Sequence, residues 1–482
     1  MPGAPVTIDI DPTLSPFLTG NYSPVADELD IADLRVTGTI PEALRGVYMR
    51  NGANPAFAPT GKYHIFDGDG MIHAIEIADG KASYRNRFVE SRGLRYEREQ
   101  GHAVFGGLSN WVMPSPEVIA AAGMMKNTAN TNVIRHGGKY LALMEGALPT
   151  ELNRDLSTVG EYDYDGALAT AMAPSMTAHP KWDPETGELL FFGYSPFPPY
   201  LRYHVADRSG TLTKTLDIDL PKAVMMHDFV ATERHVVFFD LPAVFDANAM
   251  LTGDAFIRWE PSAGARIGVL PRAATSGDEI RWFELDPFFV FHFMNGWDAD
   301  DRTVVVTGCR SAAMPTSFGD DEAPVGVHPH LHRWSIDLVN GQITETELDD
   351  RPADFPRINM SRSGHENRYG YLAHAAGWED DTVEFNGVLK FDFTTGTSVR
   401  HEYGPTTEGG EAVFAPDPNG TAEDDGWLLN FVFDRVTQTS EFRIVDARTL
   451  DAEPVARIHL PRRVPFGFHG NWMPEDGALP SH

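Results

Sequence analysis

Glycine, proline, asparagine and aspartate recur along all 482 residues and cut the chain into short runs rich in β-branched, aromatic and aliphatic side chains. Residues 71–77, 140–144, 189–193, 235–241, 288–293, 303–307, 389–393 and 441–445 are such runs, each bounded by turn formers and too short for an ordinary helix. The chain is therefore expected to be all-β. Three intervening turns share one form: Asp183-Pro184-Glu185-Thr186-Gly187, Asp337-Leu338-Val339-Asn340-Gly341 and Asp392-Phe393-Thr394-Thr395-Gly396 each close on a glycine suited to positive φ. Repeated hairpins of one kind suggest propeller blades. If seven blades share the chain, each takes roughly 69 residues, above the ~40–45 of a compact blade, so long loops must collect on a face.

Proline and glycine are spread evenly, and no shift of composition marks a linker, so residues 1–482 are expected to form one domain. With 39 basic against 69 acidic residues the net charge is −30, which repels phosphate backbones and argues against nucleic acid as a partner. The single cysteine, Cys309, excludes an internal disulfide, a thiolate zinc site and an iron–sulfur cluster. A reducing compartment fits this. The first residues lack the basic start and apolar core of a secretory signal, and no run approaches the ~20 apolar residues of a membrane span, so a cytoplasmic location is expected.

One helix is expected over 115–125, where Ser115 can cap, Pro116 suits the first helical position and Glu117 favours the positive end of the dipole. Phe105, Leu108, Trp111, Val112 and Met113 precede it. The segment has two readings: a helix packed over the propeller face, or a shallow membrane-docking or tunnel-mouth patch. The run Asp67-Gly68-Asp69-Gly70 lacks the remainder of an EF-hand or P-loop and reads as a turn. His328, His330 and His332 read as an exposed loop leading into a strand, with adventitious metal recruitment as the alternative.

Four of the 18 histidines have apolar or small neighbours: His179, His227, His292 and His469. Burying an unpaired imidazole would cost about 1–3 kcal/mol, so each ring needs a partner. No local element can gather residues so far apart, but inner strands of different blades converge on a propeller axis, where one shared metal would satisfy all four.

At this point the chain resembles the carotenoid cleavage oxygenases, a family with apocarotenoid- and stilbene-cleaving members and the visual-cycle retinoid isomerase. The resemblance covers nearly the whole chain. It begins at Gly46-Val47-Tyr48-Met49-Arg50-Asn51-Gly52, continues through Phe66-Asp67-Gly68-Asp69-Gly70-Met71-Ile72-His73 and Asn130-Thr131-Asn132-Val133, takes in the four histidine segments, and closes at Phe468-His469-Gly470-Asn471-Trp472. It implies a seven-bladed β-propeller with a helical and loop cap, roughly 103–129, over one face. It also implies one ferrous ion, Fe(II), per chain held by His179, His227, His292 and His469, with dioxygen (O2) as co-substrate. Glu145, Asp354 and Glu411 match the family's carboxylates that bond to the ligand rings. The middle position is usually glutamate, and Asp354 is one methylene shorter, which puts its direct bond to a ring in question.

The chemistry implied is cleavage of a C=C bond by O2 into two carbonyl products. Family members that cleave hydroxystilbenes or phenylpropenes resemble one another in carrying lysine just before the first of those carboxylates; here the residue is Met144. A thioether suits the flank of a polyene, so a carotenoid or apocarotenoid is the expected substrate, with an aryl alkene of the stilbene or isoeugenol kind as the alternative. Phe66, Met144, Met225 and Phe355 are expected to line the substrate channel, and the cap to reach a membrane surface peripherally. Nothing in the sequence sets the oligomeric state.

Overall fold

Each of the eight β-rich runs becomes part of a strand, and the strands assemble into seven antiparallel blade sheets set around one axis, with a further two-stranded ribbon of Ala243–Phe245 and Ile257–Trp259, in the computed structural model, which describes residues 8–169, 173–246, 249, 256–316, 327–379, 382–450 and 453–475. Blade 1 contains Gly46–Arg50, Met71–Ala78 and Lys81–Phe88, and blade 2 runs from Asn132–His136 to Thr158–Glu161. Blade 3 runs from Lys181–Trp182 to Leu212–Ile218, blade 4 from Val230–Ala231 to Arg281–Leu285, and blade 5 from Phe289–Asp298 to Ile343–Asp349. Blade 6 runs from Ala353–Arg357 to Thr397–Glu402, and blade 7 from Thr407–Glu408 to Ala456–His459.

The ring is closed twice. Val36–Gly38, early in the chain, pairs with Ala456–His459 as the outer strand of blade 7. Gly470–Pro474, late in the chain, pairs with Gly46–Arg50 as the inner strand of blade 1. The core is correspondingly cut into wedges, one between each pair of neighbouring blades. A sheet with an apolar wedge on either side needs apolar residues on both faces. Leu189–Tyr194 is accordingly buried at every position, as a continuous apolar run requires.

The three glycine turns form as expected, with φ of 76° at Gly187, 77° at Gly341 and 67° at Gly396. In each, the leading aspartate accepts from two backbone N–H groups inside the turn. A fourth turn of the same form, 434–438, was not foreseen because Gln438 stands where the others have glycine, at φ 56°.

The cap carries two helices where the sequence suggested one. Pro116–Ala122 is the expected helix, with Ser115 Oγ accepting from Val118 N. Arg92–Gln100 was missed because it is mostly charged; Ser91 caps it, and Leu94 and Glu97 are its buried side chains of any length. Val118 and Ala122 pack against Phe105, while Val112, Met113, Ile119, Met124, Met125 and Phe197 are exposed. The packed-helix reading thus holds at Val118 and Ala122. The 328–332 stretch is a loop that leads into a strand from His330, as read, but it is not exposed: His332 is buried, with Nδ1 3.0 Å from Glu345. Asp67–Gly70 is a turn, as read, with Asp67 closing a short 3-10 helix over Ile65–Asp67. Among the described residues no helix is long and apolar enough to cross a membrane.

Candidate metal centre

A propeller brings the leading ends of its inner strands to one axis, and the four selected histidines lie there. His179 and His227 lead into Lys181–Trp182 and Val230–Ala231, His292 lies within Phe289–Asp298, and His469 directly precedes Gly470–Pro474. They come from blades 3, 4, 5 and 1. Glu145, Asp354 and Glu411 come from blades 2, 6 and 7, so each blade gives one of the seven residues.

The four imidazoles are buried, and one ring nitrogen from each falls within 4.8 Å of the others. His227 Nε2 is 3.0 Å from His179 Nε2 and 3.3 Å from His292 Nε2. Such separations match neighbouring ligands about 2.1 Å from a common ion. The opposite nitrogens are held by the carboxylates: His227 Nδ1 to Glu145 at 2.5 Å, His292 Nδ1 to Asp354 at 2.8 Å, and His469 Nδ1 to Glu411 at 2.9 Å. Each carboxylate accepts a hydrogen bond from the Nδ1–H and leaves the Nε2 lone pair facing inward, which fixes the tautomer a metal needs. No carboxylate among the described residues pairs with His179.

Asp354 reaches its ring despite its shorter side chain. The strand pairing shifts register between Asp354 and Arg357, with Phe355 at φ 51°, and a bulge of this kind re-aims side chains toward an axis. Phe355 N donates to the same carboxylate oxygen at 2.8 Å.

Burial, then the neighbouring His469, His227 and His292, push the His179 imidazole well below the usual histidine range. Burial lowers His469 to about 4 even though Glu411 opposes it. For His292 burial acts the same way, but Asp354 outweighs it and raises the ring. Burial would raise Glu411, yet Arg357 and then His469 hold it below the usual glutamate range. Neutral His179 and His469 are the form a cation requires.

A cavity of about 650 Å³ opens over the centre, in the size range of small-molecule sites. His227, His292 and His469 form its floor, and Phe66, Met144, Met225 and Phe355 all stand in its wall. It reaches the cap at Trp111, Met124, Met125 and Phe197. Sequence reasoning missed three wall or support residues. Phe291 packs its ring 5.0 Å from that of His227, and Tyr194 Oη donates to Glu145 at 2.7 Å. Arg357 Nη1 lies 3.5 Å from Glu411. Phe291 adjoins His292 and Arg357 follows Asp354 closely, which was their only signal; Tyr194 had none, since only the fold brings it to Glu145.

A model of the retinal pigment epithelial membrane protein family, which takes in the carotenoid cleavage oxygenases, matches residues 22–474. The chain belongs to the carotenoid cleavage oxygenase family. As a member it is 36% identical to carotenoid 9,10(9',10')-cleavage dioxygenase 1 of Phaseolus vulgaris, over 95% of this chain and 90% of the relative. Its fold is similar to the crystal structure of Pseudomonas brassicacearum lignostilbene dioxygenase, with a TM-score of 0.89, 29% identity, and coverage of 98% of this chain and 100% of the other. It is similar also to cobalt-substituted Synechocystis apocarotenoid oxygenase, with a TM-score of 0.82, 26% identity, and coverage of 97% and 99%. In this oxygenase the four-histidine cluster has the donor chemistry of a non-haem metal site.

Proposed function

We propose that this protein cleaves a C=C bond of a carotenoid or apocarotenoid with O2 to give two carbonyl products, using one Fe(II) held by His179, His227, His292 and His469. The observation that carries the reading is the convergence of four imidazole nitrogens, three of their rings forming the floor of a largely apolar cavity. A four-nitrogen set around an octahedral ion leaves two positions for other ligands. The ferrous ion, when bound, supplies dioxygen activation without an external reductant. Glu145, Asp354 and Glu411 keep the Nδ1 protons of His227, His292 and His469 in place and orient the rings. Phe66, Met144, Met225 and Phe355, with Phe291, exclude water and hold the polyene against the floor. The wall's half-buried Lys126 is bound by Asp69 at 2.6 Å and Glu97 at 2.5 Å, so this cation is already neutralised and a neutral substrate suits the wall beside it.

The exposed Met124, Met125 and Phe197 line the cavity and, with the exposed Val112, Met113 and Ile119 of the same cap, dock on a membrane surface, from which the polyene enters. With a net charge of −30 the contact is with neutral lipid, by a protein that is otherwise cytoplasmic. Liposome flotation tests this: Trp111→Ser/Met124→Ser/Met125→Ser should lose vesicle binding, and equal behaviour of wild type and variant would refute it.

The second reading is cleavage of an aryl alkene, supported by the likeness to the lignostilbene enzyme. Met144 weighs against it, because a phenol would find no cation there. The deciding experiment is O2 uptake by Fe(II)-loaded protein with an apocarotenal, a hydroxystilbene or isoeugenol, with products weighed by mass spectrometry. Uptake with the apocarotenal alone is expected; uptake with the phenolic alkenes alone would overturn the polyene assignment.

A further inference from the structure

The blades are separate sheets, and no sheet ladder joins the strands that carry His179, His227 and His292. Their Nε2 atoms are nonetheless held 3.0 and 3.3 Å apart. One carboxylate links all three segments. Asp228, next to His227 in blade 4, is only 3% exposed. Its Oδ1 accepts from Lys181 Nζ at 2.6 Å and from Phe229 N at 2.7 Å, and its Oδ2 accepts from Phe293 N at 2.8 Å. Lys181 lies just past His179 in blade 3, and Phe293 follows His292 in blade 5. Glu145, Asp354 and Glu411 each hold an imidazole ring; Asp228 holds the segments that carry the rings. Lys181 balances its charge, and both carboxylate oxygens have donors, which is the condition for a buried ion pair to be stable.

We propose that Asp228, with Lys181, is a positioning residue that sets the mutual spacing of His179, His227 and His292. The inference rests on the reading of those histidines as metal ligands. Asparagine at 228 would keep one acceptor but turn an N–H₂ toward a backbone N–H or the lysine. Cobalt(II) is a suitable probe, because a relative accepts it and its visible absorption reports ligand geometry.

Apoprotein titrated with cobalt(II) should show Asp228→Asn binding about 10–100-fold more weakly, the range seen when groups supporting metal ligands are removed. Its absorption bands should shift as well. Asp240→Asn is the control, since it breaks a buried pair with Arg266 in the same blade, where Nε lies 2.7 Å from the carboxylate, without touching another histidine segment. It should lower the melting temperature and leave cobalt affinity and spectrum at wild-type values. If Asp228→Asn does not fold, Lys181→Met carries the test, with weaker binding expected and recovery in Lys181→Arg. Wild-type affinity and spectrum in folded Asp228→Asn or in Lys181→Met, or an equal loss in Asp240→Asn, would overturn the proposal. Wild-type protein that takes up no cobalt would instead overturn the metal reading beneath it.

Discussion

Glu411 accepts from two donors one residue apart, His469 Nδ1 at 2.9 Å and Gly470 N at 2.7 Å. A glutamine has one acceptor oxygen and would face one of those donors with its own N–H₂, so Glu411→Gln should reduce Fe(II) affinity about 10–100-fold while circular dichroism stays unchanged. Anaerobic titration reads this, and unchanged affinity would remove Glu411 from the centre. Glu408 makes a different prediction. Burial, then repulsion from Glu384, push its carboxyl up from 4.5 to about 7, with Arg435 opposing. The folded chain therefore binds this proton more tightly than the unfolded chain. The stability so gained is complete below about pH 4.5 and is lost as pH rises through about 7. Glu408→Gln should accordingly outlast wild type in urea at pH 8 by about 2 kcal/mol more than at pH 4.5, solvent screening of this half-buried group reducing the ~3 kcal/mol that the full shift would give. A pH-independent difference would show the carboxyl to be unperturbed. At this scale the sequence was most legible where a residue type conflicts with its neighbours, as with an imidazole among phenylalanines. It was least legible where backbone conformation decides: the reach of Asp354 depends on a register shift and the φ of Phe355, which side-chain length does not encode.

The 434–438 turn shows what a local rule can miss. Its hydrogen bonds copy those of the three glycine turns, including Gln438 N to Asp434 O at 2.8 Å, yet Gln438 must hold φ 56° with a β-carbon. Left-handed backbone costs a non-glycine residue about 1–2 kcal/mol, part of which glycine would lose again through its freer unfolded chain. Gln438→Gly is therefore expected to stabilise the protein by about 0.5 kcal/mol in chemical denaturation; a loss would mean that the Gln438 Nε2 bond to Arg435 O outweighs the backbone term. The strands were legible because wedges on both sides demand continuous apolar runs. Arg92–Gln100 was not, because its shape depends on distant partners: Glu97 accepts from Val104 N and Lys126, and Lys126 also binds Asp69. Nothing within nine mostly charged residues announces that network.

Closure governs the molecule as a whole. Val36–Gly38 and Gly470–Pro474 join the ends of the chain to sheets built by its other end, so the first and last wedges form only when the ring is complete. Gly38 is the tight point: its φ is 85°, and a β-carbon there would meet Val455 O at 2.4 Å. Gly38→Val should cost about 3 kcal/mol. Calorimetry should show one transition at a lower midpoint, because loosening one seam weakens every blade; a separate early transition would mean that the strand melts alone. The number of blades was not legible from turn spacing, which is irregular, and came with the resemblance to a known family. The seven residues at the axis, one from each blade, have a consequence for how the protein is made. While the chain is being synthesised, His179, His227 and His292 leave the ribosome long before His469, and Glu411 comes late as well. On the proposed metal reading, a fragment holding only some of the blades lacks part of the ligand set, so tight metal capture requires a finished fold. On that same reading, loading reports on assembly: a chain in which one ligand-bearing blade is misassembled should hold its metal more weakly than the finished fold.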